Sequence, residues 1–140
     1  MSIEFFNEDI FRPEIDFRMC KKWIDNVVKK EKYVVSDISI IFCSDAYLLQ
    51  INQQYLNHNY YTDIVTFDYS EKGKISGDLF ISIDTVESNS KKFSTNFMNE
   101  LHRVIIHGIL HLLGYNDKSE DETVIMRKKE DQYLSLLETL

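Results

Sequence analysis

Apolar positions along this chain change their period several times, and each change marks an element. Ile3 to Phe6 is a short apolar stretch with strand character. Ile15, Met19, Cys20, Trp23, Ile24, Val27 and Val28 then recur at the spacing of one helix face, with Pro13, Glu14 and Asp16 expected in the first turn. "ISIIFCS" from Ile38 is β-branched and half alternating, which predicts a strand, and Ser44 or Asp45 then caps a helix expected to run to about Tyr55. "IVTFDY" from Ile64 and "DLFISI" from Asp78 predict two more strands, and the loop "SEKGKISG" between them suits a hairpin. Asp84 and Glu87 have the spacing of a capping box opening a short helix. A helix from about Phe97 to Leu113 follows, closed by Gly114, and Ser119 with Glu122 forms a capping box for a last helix to about Leu137. The order βαβαββααα predicts an α+β fold, a mixed sheet of about four strands packed against about five helices.

Composition narrows the picture. One proline and four glycines leave no linker-like break, so residues 1–140 are expected to form a single domain, and a 44% hydrophobic content suffices for its core. A net charge of -7 excludes a surface that attracts nucleic acid everywhere. The basic clusters Lys29, Lys30 and Lys32, then Lys91 and Lys92, then Arg127, Lys128 and Lys129 read first as solvated helix ends or faces, and second as local phosphate contacts. Cys20 and Cys43 have neither a CxxC nor a framework spacing, which points to buried thiols in a reducing compartment. The start, "MSIEFFNEDIFRPEID", has no basic segment followed by an apolar core, and no apolar run has the length of a membrane span. A cytoplasmic location is expected.

The residues from 107 to 117, "HGILHLLGYND", carry the chemistry. On a helix of about 3.6 residues per turn, His107 and His111 stand on one face and can direct two ring nitrogens at one point. Ile105, Ile106, Ile109, Leu110, Leu112 and Leu113 surround them in the pattern of a buried helix, where two unpaired imidazoles are costly. Gly114 breaks the helix and lets the chain turn back, so that Asp117 approaches the same point from a third direction. The stretch follows the extended zinc pattern HExxHxxGxxH in both histidines, in the glycine and in the position of the third ligand, which makes this a zincin-like metal helix. It departs at Gly108, where a peptidase has its general-base glutamate, and at Asp117, where a third histidine is usual. The first departure disfavours peptide hydrolysis. The second keeps an acceptable ligand, and three protein ligands with a fourth position open are the signature of a catalytic zinc site. The sequence therefore predicts one Zn2+ per chain, or another divalent transition metal, held by His107, His111 and Asp117.

The same stretch resembles the HGxLHLxGYDH signature of the YbeY family, endoribonucleases of ribosomal RNA maturation. Upstream, "INQQYLNHNYYTDIVTF" is similar to the family's LNxxYRxxDxPTDVLSF segment and "GDLFIS" to its GDIxIS strand, so three separated motifs agree across about residues 51–117. Two positions depart. Asp117 takes the place of the third metal-binding histidine, and Leu56 stands where the family has an arginine able to contact phosphate. The resemblance implies a mixed four-stranded sheet with helices, and metal-dependent cleavage of single-stranded RNA by a metal-activated water, in small-subunit rRNA maturation and ribosome biogenesis. Its implied partners are an rRNA precursor, the small ribosomal subunit and its assembly factors, with no DNA and no membrane.

Several other residues are candidates for the site. Glu100 and Arg103 lie seven and four residues before His107, on its stripe, as contacts to RNA or supports for the ligand histidines. Arg103 either grips phosphate in place of the missing family arginine or pairs with an acid. His102 falls on another side of the helix and is expected to be structural or exposed. His58 reads as a surface residue, Thr62 and Asp63 as a turn fixing the start of a strand, and Tyr55, Tyr60 and Tyr61 as packing residues with stacking on bases as the alternative. No side chain is assigned as general acid. Three functions follow: an endoribonuclease, a ribosome-assembly factor with a structural metal, and a metallopeptidase, the last disfavoured by Gly108.

Overall fold

In the computed structural model, which describes residues 2–55 and 62–140, the chain runs β1 (Ser2–Asn7), α1 (Phe17–Lys30), β2 (Val34–Cys43), α2 (Asp45–Tyr55), β3 (Ile64–Asp68), β4 (Lys74–Ser82), α3 (Ile83–Lys92), α4 (Phe97–Leu112) and α5 (Glu120–Leu137). The sheet order is β1-β2-β4-β3, with β1 and β4 parallel to β2 and β3 antiparallel to β4. This is the α+β architecture with a mixed sheet that the sequence predicts. Leu56, His58, Tyr60 and Tyr61 lie outside the described residues.

Capping decides where the helices open, and it moves two of them from their expected starts. The Asp16 carboxylate accepts the Met19 N–H at 3.0 Å, so α1 begins at Phe17, and Pro13 and Glu14 precede it instead of forming its first turn. The Ser82 hydroxyl accepts the Thr85 N–H at 3.2 Å, so the cap of α3 lies two residues before the expected one. Asp84 sits inside the first turn, and its carboxylate accepts the Asp45 N–H at the start of α2 instead. Elsewhere the caps are the expected ones: the Ser44 hydroxyl accepts from Tyr47, and Ser119 with Glu122 forms a complete capping box for α5.

Strand β2 is central, and Ile38, Ile40, Phe42 and Cys43 along it are buried, the burial a strand acquires when paired on both sides and covered by helices. α4 lies against β3 and β4 with Leu101, Ile105, Ile106, Ile109 and Leu110 wholly buried. Two glycines permit that approach. A Cβ at Gly108 would stand 2.7 Å from Ile64 Cδ1 and 3.0 Å from Leu79 Cδ1. At Gly77 it would stand 2.5 Å from the Phe67 carbonyl oxygen and 2.8 Å from Leu112 Cδ2.

A second tie joins the ends of the chain. Glu31 caps α1 and is only 13% exposed, and its carboxylate accepts hydrogen bonds from the Tyr115 hydroxyl at 2.7 Å, the Lys129 ammonium at 3.1 Å and the Tyr133 hydroxyl. The Trp23 indole donates to the Tyr133 carbonyl at 2.8 Å, locking α1 to α5. Burial resists the charge on Glu31, but hydrogen bonds from Tyr133, Tyr115 and Lys129 outweigh it and hold the carboxyl below its usual range.

Two outcomes test this packing. Gly77→Ala meets backbone, which cannot swing aside, and is expected to cost about 1–3 kcal/mol by urea denaturation. Glu31→Gln is expected to cost about 2 kcal/mol at neutral pH. Because the folded pKa of Glu31 lies below its unfolded value, near 4.5, the stabilisation is complete above that pH and lost as pH falls through the folded pKa. Stability curves of the two proteins should therefore converge below about pH 4.5.

Candidate metal centre

The end of α4 is built so that its two histidines meet a third group. Past Leu113 the Gly114 N–H donates to the His111 carbonyl and the Tyr115 N–H to the Leu110 carbonyl, both at 3.0 Å, the pair of bonds that closes a helix in a Schellman turn. Gly114 takes φ +102° to make it. The chain reverses, the Tyr115 hydroxyl is anchored on Glu31, and the Thr123 hydroxyl donates to the Asp117 carbonyl at 3.2 Å. The Asp117 carboxylate then lies 3.2 Å from His107 Nε2 and 3.6 Å from His111 Nε2, with the two ring nitrogens 3.0 Å apart.

A triangle of donors with those edges fits a single cation. Ligands about 2.0–2.1 Å from a tetrahedral zinc stand about 3.3–3.4 Å from one another. Two imidazole nitrogens and one carboxylate oxygen are also the donor chemistry of zinc and its first-row neighbours. The proton positions agree with this. His107 Nδ1 lies 2.7 Å from a Glu130 carboxylate oxygen, which can only accept, so Nδ1 carries a hydrogen, and in the neutral ring Nε2 presents a lone pair toward His111 and Asp117. Burial lowers the basicity of His107, but the hydrogen bond and charge of Glu130, with Asp117 and Asp63, outweigh it and raise the ring above its usual range. For His111, burial and the neighbouring charge of His107 lower it, and Asp117 offsets only part.

Behind His107 stands a chain of charges. Glu130 is 7% exposed at its side chain, and its second oxygen accepts from Arg103 at 2.7 Å, while the other arm of Arg103 reaches Asp131 at 2.6 Å. Burial acts against the Glu130 charge, yet His107 and Arg103 together hold its carboxyl below the usual range. Arg103, a candidate phosphate contact by sequence, is held by two carboxylates, and it acts on the site through Glu130.

Two open clefts, of about 550 and 540 Å³, meet at His107, and both are lined by Asp63, His107 and Asp117. Glu100 and Arg103 line the first, and His111 and Asn52 line the second. Burial raises the carboxyls of Asp63 and Glu100 above their usual range. His102 points elsewhere: it is buried, with its ring edge-on to Trp23 at 5.7 Å. Tyr55 packs edge-on against Phe67 at 5.8 Å.

A family model described as Endoribonuclease YbeY matches residues 5–138. The chain belongs to that family. Among proteins carrying that name, it is 52% identical to one from Parabacteroides distasonis over 137 residues, covering 98% of this chain and 96% of the relative. One from Cytophaga hutchinsonii is 51% identical over 136 residues, covering 96% and 95%. The solution structure of TM1509 from Thermotoga maritima superposes with a TM-score of 0.67 at 28% identity, covering 97% of this chain and 89% of that one.

Within the YbeY family frame, Gly108 and Asp117 gain physical reasons. Gly108 faces the tips of Ile64 and Leu79, so a side chain at the position that holds the base in peptidases would have to push them aside. Asp117 stands close enough to both rings to serve in place of a histidine. Two residues of the site escaped sequence reasoning. Glu130 lies 23 residues after His107, on another helix, and no local pattern marks it. Asp63 reads as a turn residue, yet it lines both clefts; its place in the "TDIVTF" segment was the available signal.

If Glu130 sets the tautomer of His107, Glu130→Ala should weaken metal binding about 10–100-fold in a chelator competition. Glu130→Gln, which still accepts from Nδ1 but lacks charge, should fall between Glu130→Ala and wild type. Equal metal affinity in all three proteins contradicts the role.

Proposed function

We propose that this chain is a metal-dependent endoribonuclease acting on single-stranded RNA, with residues 1–140 working as one domain. The observation that carries the proposal is the convergence of His107, His111 and Asp117 at the junction of two open clefts. A strand of RNA laid through both clefts has its backbone at the three donors, and membership of the Endoribonuclease YbeY family supports RNA as the substrate.

His107, His111 and Asp117 would hold a zinc ion or a similar divalent cation, the choice that two nitrogens and one oxygen favour. Such an ion supplies Lewis acidity, making a water more acidic and offsetting charge on the phosphoryl oxygens. The protein's own residues do the rest. Glu130 keeps the proton on His107 Nδ1 and so keeps Nε2 aimed at the site. Arg103 keeps Glu130 ionised. The turn at Gly114 holds Asp117 in reach of both rings. No side chain is required as a covalent nucleophile.

The substrate we infer is a small-subunit rRNA precursor, met on the small ribosomal subunit with its assembly factors. A cytoplasmic setting suits the two free buried cysteines, whose thiols burial pushes up to about 12. Among the described residues no helix is long and apolar enough to cross a membrane.

Replacing His107 and His111 with alanine is expected to abolish both bound metal, read by elemental analysis, and cleavage of an unstructured oligoribonucleotide. Asp117→Ala should weaken both. Cleavage that persists in metal-free protein overturns the proposal, and rRNA binding without any metal-dependent cutting moves the function to ribosome assembly.

A further inference from the structure

The cleft on the α5 side of His107 has features that metal binding leaves unexplained. It runs over α4 between α3 and α5, both of which pack on that helix. Phe93 ends α3, its N–H bonded to the Asn89 carbonyl at 2.9 Å, and its ring lines this cleft while 57% exposed. Single exposed rings are common on protein surfaces. This one differs by its place, in the same cleft as His107 and Asp117. The Lys92 ammonium lies 5.5 Å from its centroid, adding positive charge beside a flat apolar face.

α5 contributes Arg127 to the same cleft. Its guanidinium lies 3.6 Å from a Glu130 oxygen that Arg103 already holds at 2.7 Å, and its side chain is 64% exposed. Arg127 is thus the weaker partner of an occupied carboxylate. Its buried lining carries the carboxyls of Glu100 and Glu130, with Asp63 beside them, so an exposed cation such as Arg127 is the better placed contact for phosphate.

We propose that this arm of the cleft is a nucleotide subsite, in which Phe93 stacks an unpaired base and Arg127 holds the adjoining phosphate. The proposal rests on the endoribonuclease reading above and adds to it where the strand is gripped. Stacking uses the ring face that every base possesses, so the subsite takes any base and demands that it be unpaired. A double helix keeps its bases stacked on one another and gains nothing from Phe93, which makes the subsite a source of preference for single strands.

The test uses metal-loaded full-length protein and a short unstructured oligoribonucleotide. Phe93→Ala and Phe93→Leu, neither of which retains a flat ring, are expected to raise KM roughly tenfold, with the loss falling on KM rather than kcat. Phe93→Trp should keep wild-type KM. The native Trp23 is fully buried, so the new indole reports separately and should be quenched when the oligonucleotide binds. Arg127→Gln should raise KM and make its logarithmic salt dependence shallower by about 0.7, the contribution of one phosphate contact on a single strand. Phe11→Ala removes a ring that is 97% exposed and lies outside the cleft, and serves as the control with wild-type KM. Wild-type KM in Phe93→Ala overturns the stack, and wild-type salt dependence in Arg127→Gln overturns the phosphate contact. Cutting by the wild type alongside an inert Phe93 would leave that ring facing a protein partner and sink the subsite alone. Wild-type protein that neither binds nor cuts the oligonucleotide overturns the endoribonuclease reading and the subsite together.

Discussion

One hydrogen bond, from His107 Nδ1–H to the Glu130 carboxylate, decides what the rest of the centre can be. An imidazole with its proton on the other nitrogen would present a donor to Asp117 and His111, and the three groups would satisfy one another as an ordinary polar cluster. With the proton on Nδ1 of a neutral ring, Nε2 turns a lone pair toward the Asp117 carboxylate about 3 Å away, and the two can then hold a cation between them. The bond also sets demands elsewhere. Glu130 is buried, a buried carboxylate needs compensation, and Arg103 supplies it from α4, one turn before the histidine it serves indirectly. α4 and α5 are consequently joined by charge as well as by apolar packing.

Asp117, the third member of the cluster, depends on a different set of contacts. Asp117 sits in a short connection between two helices, where a side chain is free to wander unless its backbone is tied down. Here it is tied on both sides, by the Schellman turn and the Tyr115 hydroxyl before it and by Thr123 after it. Because Tyr115 bonds to Glu31 at the end of α1, the position of Asp117 is linked to the joining of the first and last helices of the structure. Fold stability and site geometry share residues at this point.

The parts legible in sequence were those written locally. The periodic helix faces of α1 and α4, the Ser119 capping box, and the histidine pair with its glycine are short-range patterns, each with a direct physical cause. Strand limits were less legible: β2 begins at Val34 and β4 at Lys74, each four residues before the run that suggested it, because Val34 and Val35 pair with Lys74 and Ile75 beyond a register shift, and the polar Ser36 and Asp37 and the Ser76–Gly77 pair hide that continuation. Caps misled where two polar residues competed, as Ser82 did with Asp84. What sequence could not show was convergence from separate elements. Glu130 belongs to the histidine it supports only because α5 packs on α4, and Arg103 turns to α5 for the same reason.

The close seat of Gly108 on Ile64 and Leu79 has a bearing on how nucleases and peptidases that share a histidine helix diverge. A glutamate in place of this glycine would start its side chain against the tips of Ile64 and Leu79, between helix and sheet, where burial disfavours a charged carboxylate. Making room for it requires the tips of Ile64 and Leu79 to swing aside or to be shortened along with it. The step from glycine to glutamate is therefore coupled to the packing of helix on sheet, and the two positions on the strands change with the one on the helix.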